Sequence, residues 1–228
     1  MMLAPFALLL LLGLPALARQ PVLTYFGRAS VRIDGADGRV IYIDPFAPGD
    51  YSRPADLVLV THGHGDHNQV GLVTLKPGGL VLAPAGAVAG AHRAVREGED
   101  FSVGPVQVRV VPAYNANHKR AECVGYVIRV DGVRIYHAGD TSLIPEMAAL
   151  APLGIDYALF PTDGFYNMDG MEARRCADRV KARHSMAIHS SPKDMYDAGR
   201  AALLSGPDVL ALEPGKPMAL QAGGASQH

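Results

Sequence analysis

The first half of the chain consists of short apolar runs separated by polar turns. Residues 22–33 alternate imperfectly between apolar and polar positions and end in Asp34-Gly35, and a second apolar run follows at residues 39–43. Such runs are typical of β-strands, so we predict two strands joined by a turn. Residues 57–60 are apolar throughout, which predicts a strand buried on both faces. Residues 87–96 predict a short helix.

Strict alternation marks the middle of the chain. It occurs at residues 106–110, 124–130 and 133–136, and the last two runs are separated by Asp131-Gly132. An Asp-Gly pair between alternating runs is a strong signal for a tight turn. We therefore predict a β-hairpin centred on this pair.

The second half changes to helical spacing with strands interspersed. Helices are predicted at residues 144–150, 171–181 and 193–204, and short strands at residues 157–160 and 186–188. Strands and helices in both halves favour helices packed on a core of two sheets. The small, polar tail at residues 223–228 is expected to fray.

The N-terminus departs from this pattern. Residues 6–14 form a short apolar run, and Ala16-Leu17-Ala18 supplies the small residues of a cleavage site. The run is shorter than the ~20 apolar residues of a spanning helix, which makes an uncleaved membrane anchor the weaker alternative. We predict a secretory signal at residues 1–18, one domain at residues 19–228, and export to the periplasm or the extracellular space.

Composition narrows the class of protein. A hydrophobic fraction of 49% with 19% charged residues favours a compact globular chain over a disordered one. Lys+Arg (21) and Asp+Glu (22) nearly cancel and no basic stripe stands out, so we expect no nucleic-acid partner. Cys123 and Cys176 either form one disulfide in an oxidising compartment or are two small buried side chains, and sequence leaves both open.

The strongest chemical signal follows the strand predicted at residues 57–60. The stretch THGHGDHN (61–68) places three histidines and a carboxylate in six consecutive positions. Its two glycines permit a tight turn, so that His62 and His64 can face one side while Asp66 and His67 reach a second ion. Imidazole and carboxylate suit zinc, iron or manganese, and two ions ~3.5–4 Å apart form a recognised hydrolytic centre.

This His-x-His-x-Asp-His pattern resembles the metallo-β-lactamase-fold hydrolase superfamily. Further segments resemble, in the same order, a prokaryotic branch of its metal-dependent hydrolases: IDPF (43–46), PAYN (112–115), GYVI (125–128), IYHAGDT (135–141), IPEM (144–147) and AIH (187–189). The resemblance covers most of residues 22–215. It implies an α+β fold, a four-layer αββα sandwich, with residues 19–228 as the hydrolase domain.

The resemblance also implies a cofactor and its ligands. The first of two divalent metal ions would be held by His62, His64 and His118, the second by Asp66, His67 and His189, and both would be bridged by Asp140. Zinc is the leading candidate for both sites, with iron or manganese as alternatives. A small molecule is the implied substrate.

Metal-bound histidines donate their second ring nitrogen to an acceptor, which suggests supporting residues. Asp44, at the end of a predicted strand, is the strongest candidate. His137 and Thr141 flank Asp140 and either orient it or simply end their strand. Asp163 either adds an acidic group at the mouth of the site, favouring a cationic or neutral substrate, or caps a turn, and we prefer the turn.

The chemistry implied by the resemblance is hydrolysis by a hydroxide that bridges the two ions. Asp66 would orient that water or accept its proton, and the substrate would be a small ester, lactone, amide or phosphodiester. The alternative is a catalytically degenerate metal-binding protein of the same fold. Direct β-lactam hydrolysis is not expected.

Overall fold

A computed structural model describes residues 20–223. The apolar runs form strands, and most of them lie where the alternation predicts. The strands are β1 (Val22–Gly27), β2 (Ser30–Asp34), β3 (Val40–Ile43), β4 (Ala55–Leu59), β5 (Leu75–Pro84), β6 (Arg93–Val95), β7 (Asp100–Val103), β8 (Val106–Pro112), β9 (Val124–Val130), β10 (Val133–His137), β11 (Tyr157–Pro161), β12 (His184–Ile188) and β13 (Pro217–Ala219).

These strands form two mixed sheets. The first has the order β13-β1-β2-β3-β4-β5-β6, and the second has the order β12-β11-β10-β9-β8-β7. In the first sheet β3, β4, β5 and β6 run parallel, and in the second β10, β11 and β12 run parallel. The predicted Asp131-Gly132 turn joins β9 to β10 as an antiparallel hairpin, in which Val133 pairs with Val130.

The main core lies between the two sheets. On β8 the alternation is direct evidence of this packing, because Val106, Val108 and Val110 are buried whereas Gln107 and Arg109 are exposed. Both inner faces contribute to one continuous cluster of buried apolar side chains. The two-sheet core predicted from the sequence is thus confirmed.

Helices cover the outer face of the second sheet. Helix α1 (Gly170–Val180) begins at Asp169, whose side chain accepts a hydrogen bond from the Glu172 amide at 2.8 Å, and it ends at Lys181 in the left-handed conformation. A 3₁₀ helix (Pro145–Leu153) packs beside it, and together they bury Ala173, Cys176 and Met147 against the sheet. The outer face of the first sheet is covered mainly by loops and a 3₁₀ turn (Val70–Leu72). The α+β sandwich is confirmed, with thin outer layers.

Three predicted helices differ from the structure. Residues 87–96 form turns followed by the edge strand β6, because Gly86 and Gly90 adopt positive φ angles of 80° and 75° that end any helix. Of the helix predicted at residues 193–204, only α2 (Ala198–Ala201) is α-helical. The element predicted at residues 144–150 is the 3₁₀ helix, which contains Pro152.

Two predictions about the N-terminus and the cysteines have different outcomes. The signal at residues 1–18 lies outside the described residues and stays a prediction. Among residues 20–223, no helix is both long and apolar enough to cross a membrane. Cys123 and Cys176 are both free and buried, so the interpretation as two small core side chains holds and the disulfide does not form.

Candidate metal centre

The predicted ligands meet at one edge of the sandwich, between the two sheets. Each follows the carboxyl end of a strand: residues 61–68 follow β4, His118 lies in the loop after β8, Asp140 follows β10 and His189 follows β12. Since the parallel strands of each sheet end at the same edge, segments that are distant in sequence converge there. The Val124 amide donates to the Thr61 carbonyl at 2.9 Å and ties the two sheets together at this point.

Three histidines form the first ligand group. The ligand atoms of His62, His64 and His118 lie within 4.8 Å of one another, and His62 Nε2 is 3.0 Å from His64 Nδ1. His62 and His118 are buried, whereas His64 is exposed at the mouth of the site. The three nitrogens therefore converge on one point that solvent can reach from one side.

Asp66, His67 and His189 form the second ligand group, again within 4.8 Å. His189 Nε2 lies 3.4 Å from Asp66 Oδ2, and His67 Nε2 lies 3.8 Å from Asp66 Oδ1. The two imidazole rings stack with centroids 5.5 Å apart. Both histidines are buried and the carboxylate is partly open to solvent.

Asp140 lies between the two groups. Its Oδ2 is 3.3 Å from His118 Nε2 in the first group, and 3.5 Å and 3.7 Å from the Nε2 atoms of His67 and His189 in the second. Gly139 allows this approach: it has a φ of 64°, and a Cβ there would stand 2.7 Å from the Val124 carbonyl oxygen. All seven predicted ligands are thus brought together, while their role in binding metal stays a prediction.

Asp44 fixes the tautomers of two histidines. The carboxylate is fully buried and accepts hydrogen bonds from the Thr61 amide at 2.7 Å, from Thr61 Oγ1 at 2.7 Å and from His67 Nδ1 at 2.8 Å. Because the Thr61 hydroxyl proton is used on Asp44, His62 Nδ1 must donate to Thr61 Oγ1 across 3.1 Å. When either ring is neutral, its proton is therefore on Nδ1, and its Nε2 faces the site and is free to bind an ion.

Two supporting residues were not identified from the sequence. His118 Nδ1 donates to Asn115 Oδ1 at 2.9 Å, and His189 Nδ1 faces Asp163 Oδ2 at 3.3 Å, an ion-pair contact that is misaligned for a hydrogen bond. Asp163 is fully buried, and its Oδ1 also accepts the Phe165 amide at 2.7 Å. The preferred interpretation of Asp163 as a turn residue is confirmed, and its carboxylate does not face the mouth. The PAYN resemblance placed Asn115 in a shared segment but gave it no role.

His137 and Thr141 act on the backbone instead of on Asp140. His137 Nε2 donates to the Ala29 carbonyl at 2.9 Å, and its Nδ1 accepts the Gly139 amide at 3.2 Å. Thr141 Oγ1 accepts the Tyr114 amide at 3.1 Å. The sequence left open whether these two residues orient Asp140 or simply end their strand. Both hold the loop that carries Asp140, and neither contacts its carboxylate by a hydrogen bond.

The electrostatics of the site favour positive charge. Burial lowers the pKa of His62 to about 3, which keeps that ring neutral. Burial also disfavours charge on His189, but Asp140 outweighs it and raises the pKa to about 9. The pKa of His67 is likewise raised despite burial, because Asp140 and Asp44 lie beside it. In the absence of an ion, protonated histidines balance the carboxylates, and a divalent cation can take over that function.

The donor set fits a divalent cation. His67 Nε2 and Asp140 Oδ1 are buried without a hydrogen-bond partner in the described part of the chain, which is unfavourable unless something binds there. Two ligands about 2.0–2.1 Å from a tetrahedral zinc ion lie about 3.4 Å apart. The separations of 3.3 Å to 3.7 Å around Asp140 Oδ2 are of this size.

Backbone strain is concentrated at the same edge. Asp44, His189 and Arg28 adopt positive φ angles of 47°, 43° and 48°, a conformation that non-glycine residues rarely adopt. The His189 amide donates to the Arg28 carbonyl at 2.6 Å, so two of these residues hold each other. Strained residues of this kind persist at functional sites, where the surrounding structure fixes them.

The fold and the site define a protein of the metallo-β-lactamase type, and comparison with known proteins agrees. Residues 22–189 match the family model described as the Beta-lactamase superfamily domain. A UPF0173 metal-dependent hydrolase from Pyrococcus furiosus is 34% identical over 189 residues, which cover 73% of this chain and 83% of the relative. One from Thermococcus kodakarensis is 31% identical over 221 residues, covering 86% of this chain and 98% of the relative. The chain belongs to the UPF0173 family of metal-dependent hydrolases.

Solved structures share the fold. The crystal structure of a candidate metal-dependent hydrolase from Parabacteroides distasonis superposes with a TM-score of 0.72 at 28% identity, covering 85% of this chain and 94% of the other. Igni18, a metallo hydrolase from Ignicoccus hospitalis, superposes with a TM-score of 0.70 at 22% identity, covering 90% of this chain and all of the other, and at that identity it supports the fold alone. The chain is a metal-dependent hydrolase.

Proposed function

We propose that this protein is an exported hydrolase with two metal ions, which acts on a small ester, lactone, amide or phosphodiester. The position of Asp140 carries the proposal. Its Oδ2 lies within 3.7 Å of nitrogens from both ligand groups, as a carboxylate shared by two ions would. Imidazole-rich groups with carboxylates favour zinc, with iron or manganese as alternatives.

The predicted ligands fall into two sets, one for each ion, with Asp140 shared between them. His62, His64 and His118 would hold the first ion, and Asp66, His67 and His189 the second. When bound, two such ions would supply Lewis acidity, which lowers the pKa of water and polarises the oxygen of the bond to be cleaved. Asp140 would keep the two sites at a fixed separation.

Asp66 is placed to move a proton. Both Asp66 and Asp140 line the cavity beside the ligand groups, but the Asp66 side chain is 30% exposed whereas that of Asp140 is buried. Burial would raise the pKa of Asp66, but the contact with His189 outweighs it and keeps the carboxyl ionised. An ionised carboxylate facing the cavity can orient a water molecule or accept its proton.

The first test is metal content. The chain beginning at Gln20, purified without chelators, should contain two equivalents of metal per chain, measured by mass spectrometry of the dissolved protein. Asp140→Asn and His64→Ala should abolish turnover of an ester and phosphodiester panel while the folded structure survives. His92→Ala is the matched control, because the ring of His92 accepts a hydrogen bond from the Val81 amide instead of facing the site.

Two outcomes would contradict the proposal. One equivalent of metal or none after metal is added back would favour the metal-binding protein without catalysis. Unchanged turnover in Asp140→Asn would remove the shared carboxylate from the mechanism. Export is tested separately: the full-length chain should be recovered from the periplasm or medium with Arg19 or Gln20 as its first residue.

A further inference from the structure

One positively charged side chain, that of Arg28, lies at the mouth of the candidate metal centre. The cavity there has a volume of about 360 Å³ and is lined by five of the predicted ligands with Arg28, Asn117, Tyr166 and Pro192. Its only carboxylates are Asp66 and Asp140, both predicted ligands. No free acidic group of the lining is therefore left to attract a cationic substrate.

Arg28 is held rigidly beside the ligands. It lies in the turn between β1 and β2, and its side chain is only 10% exposed. One terminal nitrogen donates to the Ser191 carbonyl at 2.8 Å, and the other reaches the Pro192 carbonyl at 3.4 Å. The first of these nitrogens is also 3.9 Å from Asp66 Oδ2. The guanidinium thus lies 3.9 Å from a carboxylate oxygen of the second ligand group.

The hydrogen-bonding capacity of Arg28 is not used up. A guanidinium has five N–H donors, and two of them are used on the carbonyls of Ser191 and Pro192. The buried Nε has no acceptor among residues 20–223. The two terminal nitrogens carry four N–H groups, so two of these also have no acceptor among residues 20–223 and can meet an anion in the cavity that Arg28 lines.

We propose that the substrate carries a negatively charged group, a carboxylate or a phosphate, beside the bond that is cleaved, and that Arg28 binds this group. The inference rests on the proposed function and narrows its substrate class. Two divalent cations would outweigh the two carboxylates that bind them, and Arg28 adds further positive charge at the entrance. A guanidinium recognises carboxylate and phosphate oxygens through paired N–H donors, which a lysine ammonium cannot copy.

The competing explanation is purely structural. Arg28 supports the segment after His189 through its bonds to Ser191 and Pro192, so its loss could disturb the second ligand group. A structural role would lower activity on every substrate alike and reduce metal content. Recognition of an anion would change the ratio between charged and neutral substrates and leave metal content unchanged.

The test compares two esters of matched shape, mono-4-nitrophenyl glutarate and 4-nitrophenyl pentanoate, on the metal-loaded protein. Arg28→Gln should reduce kcat/KM for the charged ester about 10- to 100-fold more than for the neutral one. The preference of Arg28→Lys for the charged ester should lie between those of the wild type and Arg28→Gln, since lysine keeps the charge and loses the paired donors. Arg129→Gln, on the exposed face of β9, is the control and should change neither.

A second measurement is independent of turnover. Inorganic phosphate and glutarate are titrated calorimetrically into chelator-stripped protein. Arg28→Gln should weaken the binding of whichever anion binds the wild type more tightly by at least tenfold. The tighter anion identifies whether phosphate or carboxylate is the preferred group. If the wild type cleaves neither ester, the proposed function fails on this panel, and the calorimetry still decides the role of Arg28.

Two results would overturn the inference: an equal loss of kcat/KM on both esters in Arg28→Gln, which leaves their ratio unchanged, or equal anion binding by wild type and variant. If Arg28→Gln does not fold, Arg28→Lys decides by the same ratio and the same titration. If folded Arg28→Lys keeps the wild-type preference for the charged ester and the wild-type affinity for anions, then the paired donors of Arg28 are not used.

Discussion

Asp44→Asn tests whether the buried carboxylate sets the metal-binding tautomer of His67. Asp44 accepts three hydrogen bonds of 2.7–2.8 Å, two from Thr61 and one from His67 Nδ1. An amide has one oxygen, which can keep the Thr61 amide, and its NH₂ group then faces His67 Nδ1. In a neutral ring, that nitrogen can accept a hydrogen bond from the amide only if the ring carries its proton on Nε2. His67 Nε2 would then be unable to bind an ion.

The magnitude follows from these contacts. Loss of the partner of a ligating histidine typically weakens metal binding 10- to 100-fold, which is about 1.4–2.7 kcal/mol. Loss of a hydrogen bond to a charged group costs a further ~1.5–3 kcal/mol of stability. We therefore expect the second ion to be lost first, from a protein that still folds.

Chelator competition measures the affinity of each ion, and nitrogen NMR of the imidazole rings reports which nitrogen of His67 is protonated. Asp156→Asn is the matched control: this nearly buried carboxylate accepts the Arg134 amide at 2.8 Å and the Gly223 amide at 2.6 Å, at the opposite end of the sandwich. It should lower stability without changing metal affinity. The reasoning is refuted if Asp44→Asn binds both ions with wild-type affinity and keeps the proton on His67 Nδ1.

Three further predictions concern other parts of the structure. Asn115→Ala removes the acceptor of the loop histidine, so the first ion should bind about 10- to 100-fold more weakly in the same chelator competition, and wild-type affinity would contradict this role. Gly139→Ala places a Cβ 2.7 Å from the Val124 carbonyl oxygen at a positive φ, so urea unfolding should show a loss of more than ~2 kcal/mol, and an unchanged midpoint would contradict it. Cys123 and Cys176 are free, so thiol titration of the denatured, unreduced protein should find both, and a missing pair of thiols would indicate a disulfide.

Local pattern was enough to predict β3, β4, β8 to β12 and the centre of the site, whereas residues 22–33, predicted as one strand, form the two strands β1 and β2. The Asp131-Gly132 hairpin was predicted because its turn chemistry is local, and residues 61–68 stood out because no packing requirement explains that composition. Asp44 was found as a supporting residue because it ends a strand next to the cluster. The resemblance to a known family supplied His118, Asp140 and His189, which local pattern alone does not connect.

The errors and omissions arise where tertiary structure overrides local pattern. Residues 87–96 have a helical composition but contain Gly90, and the edge of the first sheet takes up residues 93–95 as β6. Asn115 contacts His118 within one loop, but no regular element fixes that loop's conformation, and the contact of Asp163 with His189 depends on how two distant loops meet; neither contact has a periodic signature in sequence. The same is true of Arg28, whose importance comes from the position of its turn beside Asp66.

The ligand groups are shared between the two sheets, and this has a consequence for the order of synthesis. Asp66 and His67 leave the ribosome long before His189. In the first group, His62 and His64 likewise leave it before His118. A growing chain therefore has no complete second group until β12 has docked and His189 is in place. If the inferred ions bind, complete loading reports that the whole sandwich has closed, and a chain truncated before β12 would keep no more than the first group.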